Sequence, residues 1–318
     1  MKQRNFEMIK TNGITLRTVV EGKGPLVILL HGFPQSWYLW RHQIDPLVAA
    51  GYQVAVPDQR GYGGSDKPAA IEAYNIVELT NDVAGLATAL GHERFIVVGH
   101  DWGAPVAWHT ALLHPQRVRA VVGMSVPYVR GREGVMTKQE NFGDNFWYIV
   151  YFQQPGVAEA ELETDIPKSL RMVYFSISGD APQGIWFVKK PASAKFLDGL
   201  VDPPSLPSWL TAEDLDYYVA QYRQSGFRGP INWYRNIDRN IAITPQLEHA
   251  KIEQPAFFIA GSKDIVLSFG GGGLLAMMDQ WVPNLRGKVI IDGAGHWVQA
   301  ERPGPTNEAL LGFLKTVS

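Results

Sequence analysis

Short, unbroken apolar runs separated by segments of helical spacing constrain this chain more than any other feature. Leu26 to Leu30, Val54 to Pro57, Phe95 to Gly99 and Val118 to Met124 are rich in β-branched residues, and stretches such as Ile76 to Leu90, with helical periodicity, lie between them. A strand that is apolar at every position needs cover on both faces. Alternation of such strands with helices therefore predicts a parallel sheet between two helical layers, an α/β fold. Ahead of it, Phe6 to Val20 reads as two strands joined at Asn12-Gly13, a pair that favours the positive φ angles of a tight hairpin turn.

The pattern breaks after Pro127. Up to Thr244 the chain is rich in aromatic residues and helix-like segments, punctuated by Pro155, Pro167, Pro182, Pro191 and Pro203-Pro204. Strands resume at Ala256 to Ala260 and Lys288 to Asp292, and an amphipathic segment, Asn307 to Lys315, closes the chain. The expected organisation is one core made of residues 1–127 and 245–318, with a helical lid, residues 128–244, inserted into it. Gly270 to Gly273 is expected to be a flexible loop before a helix.

Lys and Arg (29) nearly balance Asp and Glu (31), and no basic stripe is present to neutralise phosphates or an anionic membrane surface. Nucleic acid and membrane are excluded as expected partners. The absence of cysteine removes disulfides, thiolate catalysis and Cys-based zinc sites together. Met1 to Lys10 carries no continuous apolar segment of the kind a secretory signal needs, and Leu26 to Leu30 is far too short to span a bilayer. A soluble, cytoplasmic protein is expected.

Gly99-His100-Asp101-Trp102-Gly103 follows one predicted strand and precedes the helix-like Ala104 to Leu113. Small residues around the central position permit a sharp strand-to-helix turn that lifts the middle side chain above the sheet edge. Such turns usually present Ser; here the residue is Asp101. A carboxylate is an anion at neutral pH, needs no base to activate it, and suits attack on saturated carbon with a leaving group. Taken alone, Asp101 could equally cap the following helix.

An ester formed on Asp101 needs an activated water, hence a near-neutral His with a carboxylate on its other nitrogen. Of eight histidines, His296 in Gly295-His296-Trp297 is best placed, because it follows the last strand and arrives at the same sheet edge. His31 and His100 fall within motif loops and read as structural; His42, His92, His109, His114 and His249 read as surface or packed residues. Asp264, in Gly261-Ser262-Lys263-Asp264, follows another strand and is the candidate to orient His296, although by itself it could simply form an Asx-turn. The stretch before the lid, Met124-Ser125-Val126-Pro127-Tyr128, holds no competing carboxylate. His31-Gly32-Phe33-Pro34 could be only a tight turn, with Pro34 open to a cis bond. It could also aim the Phe33 N–H, together with that of Trp102, at an oxyanion.

These segments, with Asp58-Gln59-Arg60-Gly61-Tyr62-Gly63-Gly64-Ser65-Asp66, resemble the α/β-hydrolase-fold epoxide hydrolases over nearly the whole chain. In the lid, Tyr151-Phe152-Gln153-Gln154-Pro155-Gly156 and Gly226 to Asn236 are similar to segments of the hydrolase domain of soluble epoxide hydrolases, here with no N-terminal phosphatase domain expected. The resemblance implies an eight-stranded, mostly parallel sheet and a small-molecule epoxide as substrate with water. It calls for no cofactor or metal. It also implies that Tyr148 and Tyr234 bind the epoxide oxygen. Spacing alone does not single these tyrosines out, since aromatics at helical spacing also serve lid packing, and Tyr151 stands on nearly the same helical face as Tyr148. Phe33, Trp102, Tyr151 and Trp233 are the expected pocket lining.

Two other functions compete. A haloalkane or haloacid dehalogenase would use the same Asp, His and acid, with the Trp102 indole donating to a halide. A catalytically silent hydrolase-fold protein would bind a partner through the lid and lack part of the constellation. The nucleophile, base, orienter and both phenols favour conversion of an epoxide to a vicinal diol through an ester on Asp101.

Overall fold

The protein is described by a computed structural model covering residues 4–317; the first three residues of Met1 to Lys10 lie outside the described residues. Its eight strands are β1 (Phe6–Thr11), β2 (Ile14–Glu21), β3 (Leu26–Leu30), β4 (Gln53–Pro57), β5 (Phe95–His100), β6 (Val118–Met124), β7 (Ala256–Gly261) and β8 (Leu285–Ile291). They form one sheet in the order β1-β2-β4-β3-β5-β6-β7-β8. β2 runs antiparallel to its neighbours β1 and β4, and every other pairing is parallel. The turn between β1 and β2 has Asn12 and Gly13 both at positive φ, as the dipeptide predicts.

All residues of β3 and β5 are buried, which is why these strands are apolar without alternation. Helices Ile76–Ala89 and Gly103–Leu113 pack against this centre. β8 lies at the sheet edge and is only partly covered, so it tolerates Arg286 and Lys288.

Between β6 and β7 the chain leaves the sheet and forms a helical insert, including Tyr148–Tyr151, Ile166–Ser176, Ala212–Ser225 and Arg228–Arg235. Local signals begin these helices: Asp165 accepts from the Lys168 N–H, and Thr211 forms a capping box with Asp214. Buried polar contacts seat the insert on the sheet edge. The Tyr174 hydroxyl donates to the Pro34 carbonyl (2.6 Å), the Trp297 indole to the Tyr174 carbonyl (2.8 Å), and the Trp233 indole to the Arg60 carbonyl (3.1 Å). Gly270 to Gly273 departs from the expected loop: a 3-10 helix spans Ile265–Gly272 and leads directly into helix Leu274–Trp281. Asp264 begins that turn by accepting from the Val266 N–H. Among the described residues no helix is long and apolar enough to cross a membrane.

Candidate active site

The carboxyl ends of β3, β5, β6, β7 and β8 bring Phe33, Asp101, Ser125, Asp264 and His296 to one edge of the sheet. Asp101 occupies the turn between β5 and helix Gly103–Leu113 with φ +52°, a left-handed conformation unusual for a residue other than glycine. The flanking glycines are required there. A Cβ on Gly99 would strike the Gly103 carbonyl, one on Gly103 would strike that of Leu30, and one on Gly32 would strike the Asp101 carboxylate itself.

Asp101 Oδ1 accepts from the Phe33 N–H at 2.7 Å, and the Trp102 N–H lies beside the same carboxylate and helps to keep it charged. The peptide between Phe33 and Pro34 is cis. Asp101 Oδ2 lies 3.3 Å from His296 Nε2, and His296 Nδ1 lies 3.1 Å from Asp264 Oδ1. His296 and Asp264 are both buried. Nucleophile candidate, base candidate and acid therefore stand in one line, as the strand ends implied.

Burial alone would pull the His296 imidazole toward neutrality, but Asp264 and Asp101 outweigh it and raise its pKa to about 10. Burial opposes ionisation of Asp101 as well, and the hydrogen bond and charge of His296 overcome it, leaving Asp101 below the usual carboxylate range. The two groups hold each other charged.

Tyr148 and Tyr234 face the same space. Their ring centroids are 5.9 Å apart, and both tyrosines, with Asp101, line the cavities on either side of the carboxylate. Burial, reinforced by the charge of Asp101, pushes both phenols above their ordinary pKa, so both remain protonated donors. Trp102 stands edge-on to Tyr234 with centroids 5.1 Å apart, and Phe33 packs edge-on to the same ring.

Two residues expected in the pocket lining lie elsewhere. Trp233 is fully buried against Tyr62 and Trp102 with its indole N–H on the Arg60 carbonyl, so it belongs to the contact between insert and sheet. Tyr151 points its hydroxyl to Glu161 at 2.7 Å. A phenol held by a carboxylate on the far side of a short helix is not turned toward Asp101. His31 and His100 are buried and bonded to backbone, His31 Nε2 accepting from the Gln59 N–H (3.0 Å) and His100 Nε2 donating to the His296 carbonyl (2.7 Å). His109 is packed edge-on against Tyr128, as expected, with Nδ1 bonded to the Pro105 carbonyl, and it also lines the larger cavity.

Sequence reasoning missed two residues around His296. Ser125, buried and at φ +70° just beyond β6, places its Oγ 2.8 Å from His296 Nδ1. Met124 to Tyr128 holds no carboxylate, and the Ser125 hydroxyl is the one signal it offers. Glu301 accepts from the N–H groups of Gly295 (2.8 Å), Trp297 (3.0 Å) and Gly179 (2.8 Å), bracketing His296 on both sides. Nothing in the sequence separates Glu301 from a surface glutamate.

The α/β hydrolase fold family model matches residues 25–303. Over 96% of both chains this sequence is 46% identical to epoxide hydrolase A of Mycobacterium tuberculosis. The chain belongs to the epoxide hydrolases of the α/β hydrolase fold. It is also 38% identical to rat bifunctional epoxide hydrolase 2, over 96% of this chain and 54% of that protein. Among solved structures it is similar to epoxide hydrolase A from Mycobacterium thermoresistibile (46% identity, TM-score 0.91, 99% of each chain). An epoxide hydrolase from an endophytic Streptomyces superposes with TM-score 0.94 at 40% identity, covering 99% of this chain and 96% of that one.

Proposed function

We propose that this epoxide hydrolase converts an epoxide to a vicinal diol through a covalent ester on Asp101. The observation that carries this mechanism is the position of Asp101. Its carboxylate is held between the Phe33 N–H and His296, and it lines the same cavities as two protonated phenols. Asp101 attacks a ring carbon; the C–O bond breaks, and Tyr148 and Tyr234 hydrogen-bond the departing oxygen. Ester formation removes the negative charge of Asp101. One of the two carboxylates that hold the proton on His296 is then gone, so its pKa falls. The proton it sheds balances the one taken up, through the tyrosines, by the new alkoxide.

His296, now neutral and oriented by Asp264, takes a proton from water, which attacks the ester carbonyl; the acyl C–O bond then breaks, the departing diol oxygen takes the proton of the newly added hydroxyl, and Asp101 is restored as a carboxylate beside protonated His296. The Phe33 amide, already bonded to the Asp101 carboxylate, and the neighbouring Trp102 amide hold the oxyanion. Residues 128–244 act in this scheme as a lid that supplies the phenols and excludes water. The lack of cysteine fits a cytoplasmic enzyme, for which an oxidising compartment is unnecessary.

Single-turnover reaction in oxygen-18 water, with mass spectrometry of the peptide bearing Asp101, tests the route. Hydrolysis at the ester carbonyl puts label into Asp101 and leaves the first diol unlabelled. Label found only in the diol would rule out the covalent intermediate.

A further inference from the structure

Two cavities meet at Asp101, and they differ greatly in size. One extends past Trp102 beneath the insert, with a volume of about 350 Å³, within the range of pockets that enclose drug-sized ligands. Its walls are mainly apolar, including Pro127, Met136, Ile149, Ile237 and Leu274. The other lies on the His296 side and is far smaller, with a volume of about 40 Å³. Asp101, Tyr148, Tyr234, Val266 and Phe269 line both. A ring held between the carboxylate and the phenols at that junction must direct the substituents of its two carbons into opposite limbs.

We propose that the site is built for epoxides bearing one extended apolar substituent and, on the other ring carbon, hydrogen or a small group, with no room for an aromatic ring. This substrate class rests on the epoxide-opening reading given above. Trp186 and Phe196 set the limit. They line the short limb and, with Tyr148, also line a further cavity of about 150 Å³ on its outer side. Trp186 stands edge-on to both Tyr148 and Phe196, with centroids 5.6 and 5.8 Å apart. Its indole is thus braced between Tyr148 and Phe196. Removing either Trp186 or Phe196 side chain joins the short limb to the outer cavity, making room for a ring where only a small group now fits.

Diol formation from the terminal epoxide of decene and from trans-stilbene oxide, measured as kcat/KM on the whole protein, tests the inference. The wild type is expected to favour the decene epoxide by about a hundredfold, since misfitting groups of this size cost at least as much as a misplaced methylene. Comparable values for the two substrates would overturn it. Trp186→Ala and Phe196→Ala, each checked for folding by circular dichroism, are expected to move that ratio toward stilbene oxide by about tenfold or more. An unchanged ratio in both folded variants would overturn the assignment of the short limb. If the wild type forms no diol from either compound or from propylene oxide, the epoxide-opening reading fails and this inference fails with it.

Discussion

Ser125 Oγ lies closer to His296 Nδ1, at 2.8 Å, than does the carboxylate oxygen of Asp264 at 3.1 Å. One imidazole nitrogen therefore has two oxygen partners, delivered by the ends of adjacent strands β6 and β7. The hydroxyl limits how far the ring can tilt while Asp264 supplies the charge. Losing a hydrogen bond to a charged group is worth about 1.5–3 kcal/mol. Ser125→Ala should therefore slow ester hydrolysis by about tenfold or more, leaving ring opening less affected. Rapid-quench kinetics separates the two steps. Equal slowing of both, or of neither, would remove Ser125 from any role in holding His296.

Removing the imidazole should divide the reaction in two. In His296→Gln, Asp101 retains its Phe33 donor and its approach to the epoxide, but water loses its base. A stoichiometric ester on Asp101, visible as an added substrate mass on intact protein, is the expected result. Absence of any adduct over the time of many wild-type turnovers would show that His296 is needed before the ester forms.

The phenols should act on ring opening alone. Loss of one donor to developing oxyanion charge costs about 10²–10³-fold in catalytic sites of this type. Tyr148→Phe and Tyr234→Phe are each expected to lose about that much in the single-turnover rate, and the double variant to form no ester. Tyr151→Phe serves as the comparison, since its hydroxyl is engaged by Glu161. A double variant as active as the wild type would refute the assignment.

The coupled charges of His296 and Asp101 predict how stability depends on pH. The folded-state pKa of His296, about 10, exceeds its ordinary value of 6.5. Its contribution is therefore complete below about pH 6.5 and is lost as pH rises through about 10. Asp101→Asn removes one of the charges that raise it, so the loss should still begin near pH 6.5 but be smaller and complete at lower pH. Urea unfolding of both proteins between about pH 6 and pH 10 measures this. Identical pH dependence in the two would show that the charges are not coupled in the folded protein.

Glu301 accepts three backbone N–H groups around the His296 loop. Glu301→Gln replaces an anionic acceptor with a neutral amide whose NH₂ group must face donors. A loss of about 1.5–3 kcal/mol in stability is expected from such charged hydrogen bonds, with reduced activity because the loop carries His296. Unchanged stability and activity would make this clamp dispensable.

The sequence alone determined the sheet, the elbow and the positions of Asp101, Asp264 and His296. Strands buried on both faces must be apolar throughout, a turn with colliding backbones must have glycine, and each of these side chains follows directly from the end of a strand. Local rules sufficed because each signal is written within a few residues. The tertiary structure alone decided what depends on contacts between distant segments. Tyr148 and Tyr151 are three residues apart on a short helix, and only the placement of Glu161 and Asp101 turns one phenol outward and the other toward the carboxylate. Trp233 looked like pocket lining and became the bolt between insert and sheet, because the Arg60 carbonyl needed a donor. Ser125 meets His296 across 171 residues of chain, and Glu301 joins the His296 loop to Gly179 across 122. The unequal limbs on either side of Asp101 likewise exist only once Trp186 and Phe196 of the insert close over the strand ends.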